Sequence, residues 1–143
     1  MVSRNYKQSE VGSNNLSVDL ILALEADCLA VKDFKALRRF ITKMTRENLW
    51  IYILRLLQES PRYGYEIRDM IDRRFGFRPA TVTSYVILYK MARDGLVETK
   101  RAESEAKGKP DRKYYVITKE GEHAMQAAKI ILTKLMKNAF DLT

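Results

Sequence analysis

The sequence holds one cysteine, Cys28, and one histidine, His123, in 143 residues. A single thiol excludes an internal disulfide and any multi-cysteine zinc site; it reads as an ordinary buried side chain, with a redox or intermolecular role as the alternative. A single imidazole leaves no second histidine to complete a metal site, and a surface or partly packed position suits it better than general-base work. No run reaches the ~18 to 20 apolar residues of a membrane span, because Glu25 and Asp27 interrupt one candidate and Arg55 the other. The segment from Met1 to Gly12 lacks the apolar stretch of an export signal. Gly64 and Gly76 stand in no phosphate-cradling motif. Glu66, Asp69 and Asp72 alternate with Arg68, Arg73 and Arg74, as on a salt-bridged solvent face. No catalytic constellation and no cofactor or metal site emerges, and the expectation is a soluble, cytoplasmic non-enzyme.

What the chain does hold is positive charge and helical periodicity. Lys and Arg number 26 against 18 Asp and Glu, a formal net charge of +8. Such a surface attracts polyanions; nucleic acid leads, although anionic membranes and acidic proteins satisfy the same charge. With 46% hydrophobic residues, a chain of this length buries one core plus a helical extension, not two independent domains.

Residues 1–15 are polar and aperiodic and read as a disordered arm. From Leu16 an apolar stripe of Leu20, Leu24, Cys28, Val31, Phe34, Leu37 and Ile41 predicts one amphipathic helix in a segment ending near residue 44. Thr45 is the expected N-cap of a helix over Arg46 to Glu59, with Leu49, Ile53, Leu56 and Leu57 on its apolar face and Trp50 beside it. Ser60-Pro61 ends it. A third helix runs from Tyr65 to about Arg74 with Ile67, Met70 and Ile71 inward, and Gly76 closes it. After the Phe77-Arg78-Pro79 turn, a fourth helix starts at Ala80 or Thr81 and stops at Gly95. Two strands come next, Leu96 to Arg101 and Lys113 to Thr118. Thr118 caps a last helix, Lys119 to about Ala139.

Helices followed by a basic hairpin give a mainly α fold: a winged helix-turn-helix domain over residues 45–118, flanked by an N-terminal helix and a C-terminal one over 119–143. The fourth helix is then the recognition helix of a DNA-binding domain. With Leu88 and Met91 inward, the ~100° step per residue turns Thr83, Val86, Lys90 and Arg93 outward. Thr83 can bond a base or phosphate, Val86 can touch a thymine methyl, and Lys90 can reach a guanine or a phosphate. A merely solvated helix face is the alternative. Lys107, Lys109, Arg112 and Lys113 in the wing suit phosphates, with Glu103, Glu105 and Asp111 offsetting part of their charge.

From Leu49 to Ala124 the sequence resembles the PadR-like winged-helix transcriptional regulators. Tyr63-Gly64-Tyr65-Glu66-Ile67 is similar to the family's His-Gly-Tyr-Glu-Ile. Thr83-Ser84-Tyr85, Leu88, Met91 and Gly95-Leu96-Val97 resemble its recognition helix and the Gly-Leu-Val that ends it. Arg112-Lys113-Tyr114-Tyr115, Ile117-Thr118 and Glu120-Gly121 are similar to the residues around its second wing strand. Tyr63 replaces the usual histidine, Ser84 a leucine and Val86 a frequent proline; a serine at a half-buried position is expected to weaken packing there.

The resemblance implies a homodimer on a pseudo-palindromic operator, commonly repressing, in the cytoplasm of a prokaryotic cell and associated with its nucleoid. Phosphate contacts would come from Arg62, Tyr63, Tyr85 and the wing, base readout from Thr83, Val86 and Lys90, and either from Arg78. The last helix would form the dimer interface through Ala124, Ala128, Ile131, Leu132, Leu135 and Met136, a stripe wider than one small domain needs. Packing against the Leu16 to Ile41 helix of the same chain is an alternative for that stripe. The family also permits a small aromatic effector between the dimer helices. A reading from another class makes the winged helix a protein-interaction module that docks an acidic partner.

Overall fold

The computed structural model describes residues 34–102, 108 and 112–141. Helix α1, Lys35–Met44, leads into a 3-10 turn over Arg46–Asn48 and helix α2, Leu49–Glu59. A two-residue strand β1, Arg62–Tyr63, precedes helix α3, Gly64–Phe75, and helix α4, Thr81–Arg93. Strands β2, Val97–Ala102, and β3, Arg112–Ile117, form the hairpin, and helix α5, Lys119–Phe140, closes the chain. The sheet is antiparallel in the order β1-β3-β2. The expected mainly α winged helix is therefore what forms. Among the described residues no helix is long and apolar enough to cross a membrane.

The core is built on α2, where Leu49, Ile53, Leu54, Leu56 and Leu57 are buried. Against it lie Ile67 and Ile71 of α3, Leu88 and Met91 of α4, Val97 of β2 and Phe77 of the turn. The rings of Phe75 and Phe77 meet Tyr52 edge-on at centroid distances of 5.0 and 4.9 Å, an arrangement favoured by the ring quadrupoles. The Tyr52 hydroxyl donates to the Met44 carbonyl at 2.6 Å, which fastens the end of α1 to α2.

Three expectations are corrected. Phe34 has an extended backbone, with φ −81° and ψ 131°, so no continuous helix runs through it to Ile41; α1 starts at Lys35 and reaches Met44. Residues 16–33 and the arm before them lie outside the described residues. Thr45 does not cap α2: its hydroxyl donates backward to the Ile41 carbonyl at 2.7 Å, and the chain makes a 3-10 turn before the helix begins at Leu49. The sheet has three strands rather than two, because Arg62 and Tyr63 pair with Tyr115 and Tyr114.

Helix ends obey local chemistry. Glu66 accepts from the backbone N–H of Tyr63 at 2.9 Å, meeting one orphan donor at the start of α3. Gly76, at φ 76°, supplies the left-handed residue that ends α3, as its sequence position predicts. Thr118 accepts from the Gly121 N–H at 3.0 Å and caps α5 as expected. Its hydroxyl hydrogen goes to the Gly95 carbonyl at 2.6 Å, and its backbone N–H donates to the Leu96 carbonyl at 3.1 Å. The end of α4 and the start of α5 thus meet at one corner. Gly121 is required there, since a Cβ would overlap the Leu96 carbonyl oxygen and crowd the Ile117 side chain.

Candidate nucleic-acid interface

Helix α4 is held by one face and free on the other. Ser84, Leu88 and Met91 are buried, which confirms the inward placement of Leu88 and Met91. Ser84 is more buried than its expected half-buried position, only 2% exposed, and its hydroxyl donates to the Ala80 carbonyl at 3.0 Å. A small side chain with its one donor satisfied is tolerated there without an unpaired polar group. Thr83, Val86, Lys90 and Arg93 are all exposed.

Helix geometry sets the centre of the free face. With Ser84, Leu88 and Met91 together inward, Val82, Val86 and Arg93 lie within ~30° of the opposite direction, while Thr83 and Lys90 lie ~50° to 75° away. Val82 is 76% exposed and Tyr89 68%, both more than Val86 at 44%. Leu88 and Met91 alone give the same inward direction to within ~5°, so Val82 was already legible ~30° from the outward centre, nearer than Thr83 or Lys90, and the expected row omitted it and Tyr89.

An aromatic platform flanks this helix. A Cβ on Gly64 would sit 3.1 Å from the Tyr85 ring and 3.3 Å from the Tyr115 ring, so α3 starts pressed against both. Burial, and secondarily the neighbouring Tyr85, push the Tyr115 phenol above its ordinary pKa. Tyr63 stacks on Tyr65 at 5.6 Å between centroids and meets Tyr114 edge-on at 6.1 Å. The Arg112 guanidinium lies over the Tyr65 ring at 5.9 Å.

Cross-strand register organises the charge of the wing. Arg101 faces Lys113, Lys100 faces Tyr114, and Ala102 faces Arg112. Lys100, Arg101, Arg112 and Lys113 are exposed, and they concentrate four cations at the loop end of the paired strands. Lys100 and Arg101 were not among the expected contacts. Lys107 and Lys109 lie outside the described residues.

Two residues expected to touch DNA have protein partners. Arg62 is half-buried; its Nη2 is 3.8 Å from Glu59, and its buried Nε has no hydrogen-bond partner among the described residues. Glu59 also meets Arg55 and Arg74, and the hydrogen bond from Arg74, together with the positive charges around it, lowers its pKa below the usual carboxylate range. Arg78 binds Asp69 at 2.7 Å and Asp72 at 3.2 Å. The acidic residues of α3 therefore do not pair along their own helix as expected: Asp69 and Asp72 hold the turn before α4, and Glu66 caps. Arg68 donates to the Pro79 carbonyl at 2.6 Å from the other side of the turn.

Helix α5 carries its apolar stripe in two states. Ala124, Ala128 and Leu132 are half-buried, while Ile131 and Leu135 at 57% and Met136 at 50% are exposed. Between α2 and α5 runs a groove of about 550 Å³, with Ile51, Arg55, Met125, Lys129 and Met136 in its walls. Gln58 donates to Glu122 at 2.8 Å beside it. His123 is exposed on the same helix.

A helix with a free face, held by a helix-turn-helix core and followed by a cationic hairpin, defines a winged-helix DNA-binding protein. The chain belongs to the PadR-like family of transcriptional regulators, whose sequence profile matches residues 53–127. Solved structures agree. A PadR family transcription regulator from Clostridium difficile is 27% identical, with a TM-score of 0.54 over 64% of this chain and 97% of that one. A transcriptional regulator from Clostridium thermocellum is 28% identical, with a TM-score of 0.58 over 69% and 95%. Bacillus subtilis PadR, solved in complex with operator DNA, is 25% identical, with a TM-score of 0.51 over 57% of this chain and 46% of that one. No curated protein matches the chain significantly.

Proposed function

We propose that the protein is a homodimeric, sequence-specific repressor that binds a pseudo-palindromic operator. The exposed outward face of α4 beside the cationic wing strands carries this reading, and the operator complex of the Bacillus subtilis relative supports it. Thr83, Val86 and Lys90 contact base edges. Tyr63, Tyr85, Arg112 and the wing lysines Lys107 and Lys109 contact phosphates. Arg62 and Arg78 share their charge with Glu59, Asp69 and Asp72, so their phosphate contacts are weaker than those of the wing.

The domain division assigns residues 45–118 to DNA and 119–143 to dimerisation. Exposed Ile131, Leu135 and Met136 on α5, with Ala124, Ala128 and Leu132 beneath them, form the interface. The two α4 helices then enter major grooves ~34 to 36 Å apart. The groove between α2 and α5 is the place for a small aromatic effector, being within the size range of ligand pockets.

Selection of sites from a random duplex pool, with the mass of the complex measured in solution, tests the reading. A palindromic consensus bound by two chains is expected. Failure to retain any duplex near ~50 mM salt, where non-specific contacts are also strong, would favour a module that docks an acidic protein instead.

A further inference from the structure

Over its first nine residues, the outward centre of α4 is apolar where a reader of guanine or adenine would be polar. From Thr81 to Tyr89 the sequence is Thr-Val-Thr-Ser-Tyr-Val-Ile-Leu-Tyr, without Arg, Lys, Asn or Gln, and Lys90 is the first cation. Val82 and Val86, 76% and 44% exposed, stand four residues apart, one above the other and ~6 Å along the axis. Exposed isopropyl groups in this position are an unpartnered apolar patch. Lys90 and Arg93 follow it on the same exposed side of α4, and the chain carries a formal net charge of +8, which favours a polyanion over an apolar protein surface as the occupant. In the major groove the apolar feature offered by a base edge is the C5-methyl group of thymine.

We infer that Val82 and Val86 read the 5-methyl groups of two thymines in each half-site, placed within about two base-pair steps of one another on the ~3.4 Å rise of duplex DNA. Val82 thereby joins the specificity-determining residues, and the bound DNA belongs to the class of 5-methylpyrimidine-containing major grooves. The inference rests on α4 being the reading helix. Methyl contact removes apolar surface from water on both sides and asks no hydrogen bond of either. Cytosine at the same place presents its N4 amino group to a valine that cannot accept, and that donor is left unpaired.

Deoxyuridine separates the methyl from everything else, because it pairs as thymidine does and lacks only that group. In a site selected by the full-length protein, each dT is replaced in turn by dU and the dissociation constant is measured by fluorescence anisotropy. One or two positions per half-site should bind about fourfold more weakly, the scale of one buried methyl-sized group. Val86→Ala should abolish the dU effect at one of them and Val82→Ala at the other, with circular dichroism unchanged, since both side chains are exposed and alanine favours helix. Replacing the same T·A pair by 5-methylcytosine·guanine should retain more affinity than cytosine·guanine. A selected site whose dU duplexes all bind as tightly as the dT duplex overturns the inference and leaves the DNA-binding reading intact. A dU effect that persists in both valine variants assigns the methyls to other residues and overturns it equally. If no site is selected at all, the reading and the inference fall together.

Discussion

Arg78 holds Asp69 at 2.7 Å across the turn that launches α4. With Asp72 at 3.2 Å, one guanidinium is shared by two carboxylates on the same helix. The hydrogen bond that Arg78 donates to Asp72, ahead of the one it donates to Asp69, raises the Arg78 pKa further above its ordinary range, so the group stays charged throughout. The arrangement fixes the turn and at the same time places two negative charges beside the expected DNA path.

Removing those charges should strengthen DNA binding without regard to sequence. The Asp69→Asn, Asp72→Asn double variant is expected to bind operator and random duplex more tightly by similar factors and to show a steeper salt slope, as Arg78 becomes free for a phosphate. Titrations at two salt concentrations check it. Gain on the operator alone would place Arg78 on a base.

Lys90 is the opposite case, a cation at the edge of the reading face. Lys90→Ala should weaken operator binding by ~1 to 3 kcal/mol and relax sequence choice. Equal weakening on operator and random duplex would place it on the DNA backbone. Lys109→Ala should instead lower the salt slope by ~0.9 for each phosphate that the wing no longer neutralises, with the consensus unchanged.

Gly121 is packed so closely on Leu96 that a methyl group has no room. Gly121→Ala should destabilise the fold by ~1 to 3 kcal/mol, the usual cost of overpacking, even though alanine is the better helix former. Urea unfolding measures the loss. An unchanged midpoint would show that the corner between α4 and α5 gives way easily.

Glu59 supplies a pH-dependent contribution with a definite sign. Its folded pKa lies below the ordinary value because of Arg74, so its stabilisation is fully present above the unfolded carboxylate pKa and is lost as pH falls through the lower, folded value. Glu59→Gln should therefore lower the urea midpoint at neutral pH, and the gap from wild type should close on acidification below the usual carboxylate range. A gap of constant size from pH 7 down to pH ~2 would assign the loss to packing.

The elements with strong periodicity were legible in the sequence, and those fixed by pairing across the chain were not. The stripe of Leu49, Ile53, Leu56 and Leu57 and the stop at Gly76 were readable because a helix and its αL cap are local events. Arg62 and Tyr63 form a strand only because β3 offers Tyr115 and Tyr114, and two residues carry no alternation to detect. Thr45 misled because its hydroxyl can accept from an N–H ahead of it or donate to a carbonyl behind it, and here it donates to the Ile41 carbonyl without capping. Ser84 looked like a flaw at a half-buried position; its bond to Ala80 makes it a satisfied interior residue. Leu88, Met91 and the ~100° step alone already put Val82 near the centre of the outward face of α4. The cations Lys100 and Arg101 were overlooked because only the hairpin register brings them opposite Tyr114 and Lys113.

The corner formed by Gly95, Leu96, Thr118 and Gly121 gives α5 no pivot of its own. Its 22 residues extend ~33 Å, so a tilt of ~10° moves the far end by ~6 Å while the near end stays bonded to the end of α4. The helix is then a lever with its short arm in the DNA-binding domain. On the proposed reading, in which α4 enters the groove and a second chain packs on the long arm, the angle of that arm would set the pitch at which α4 meets the DNA.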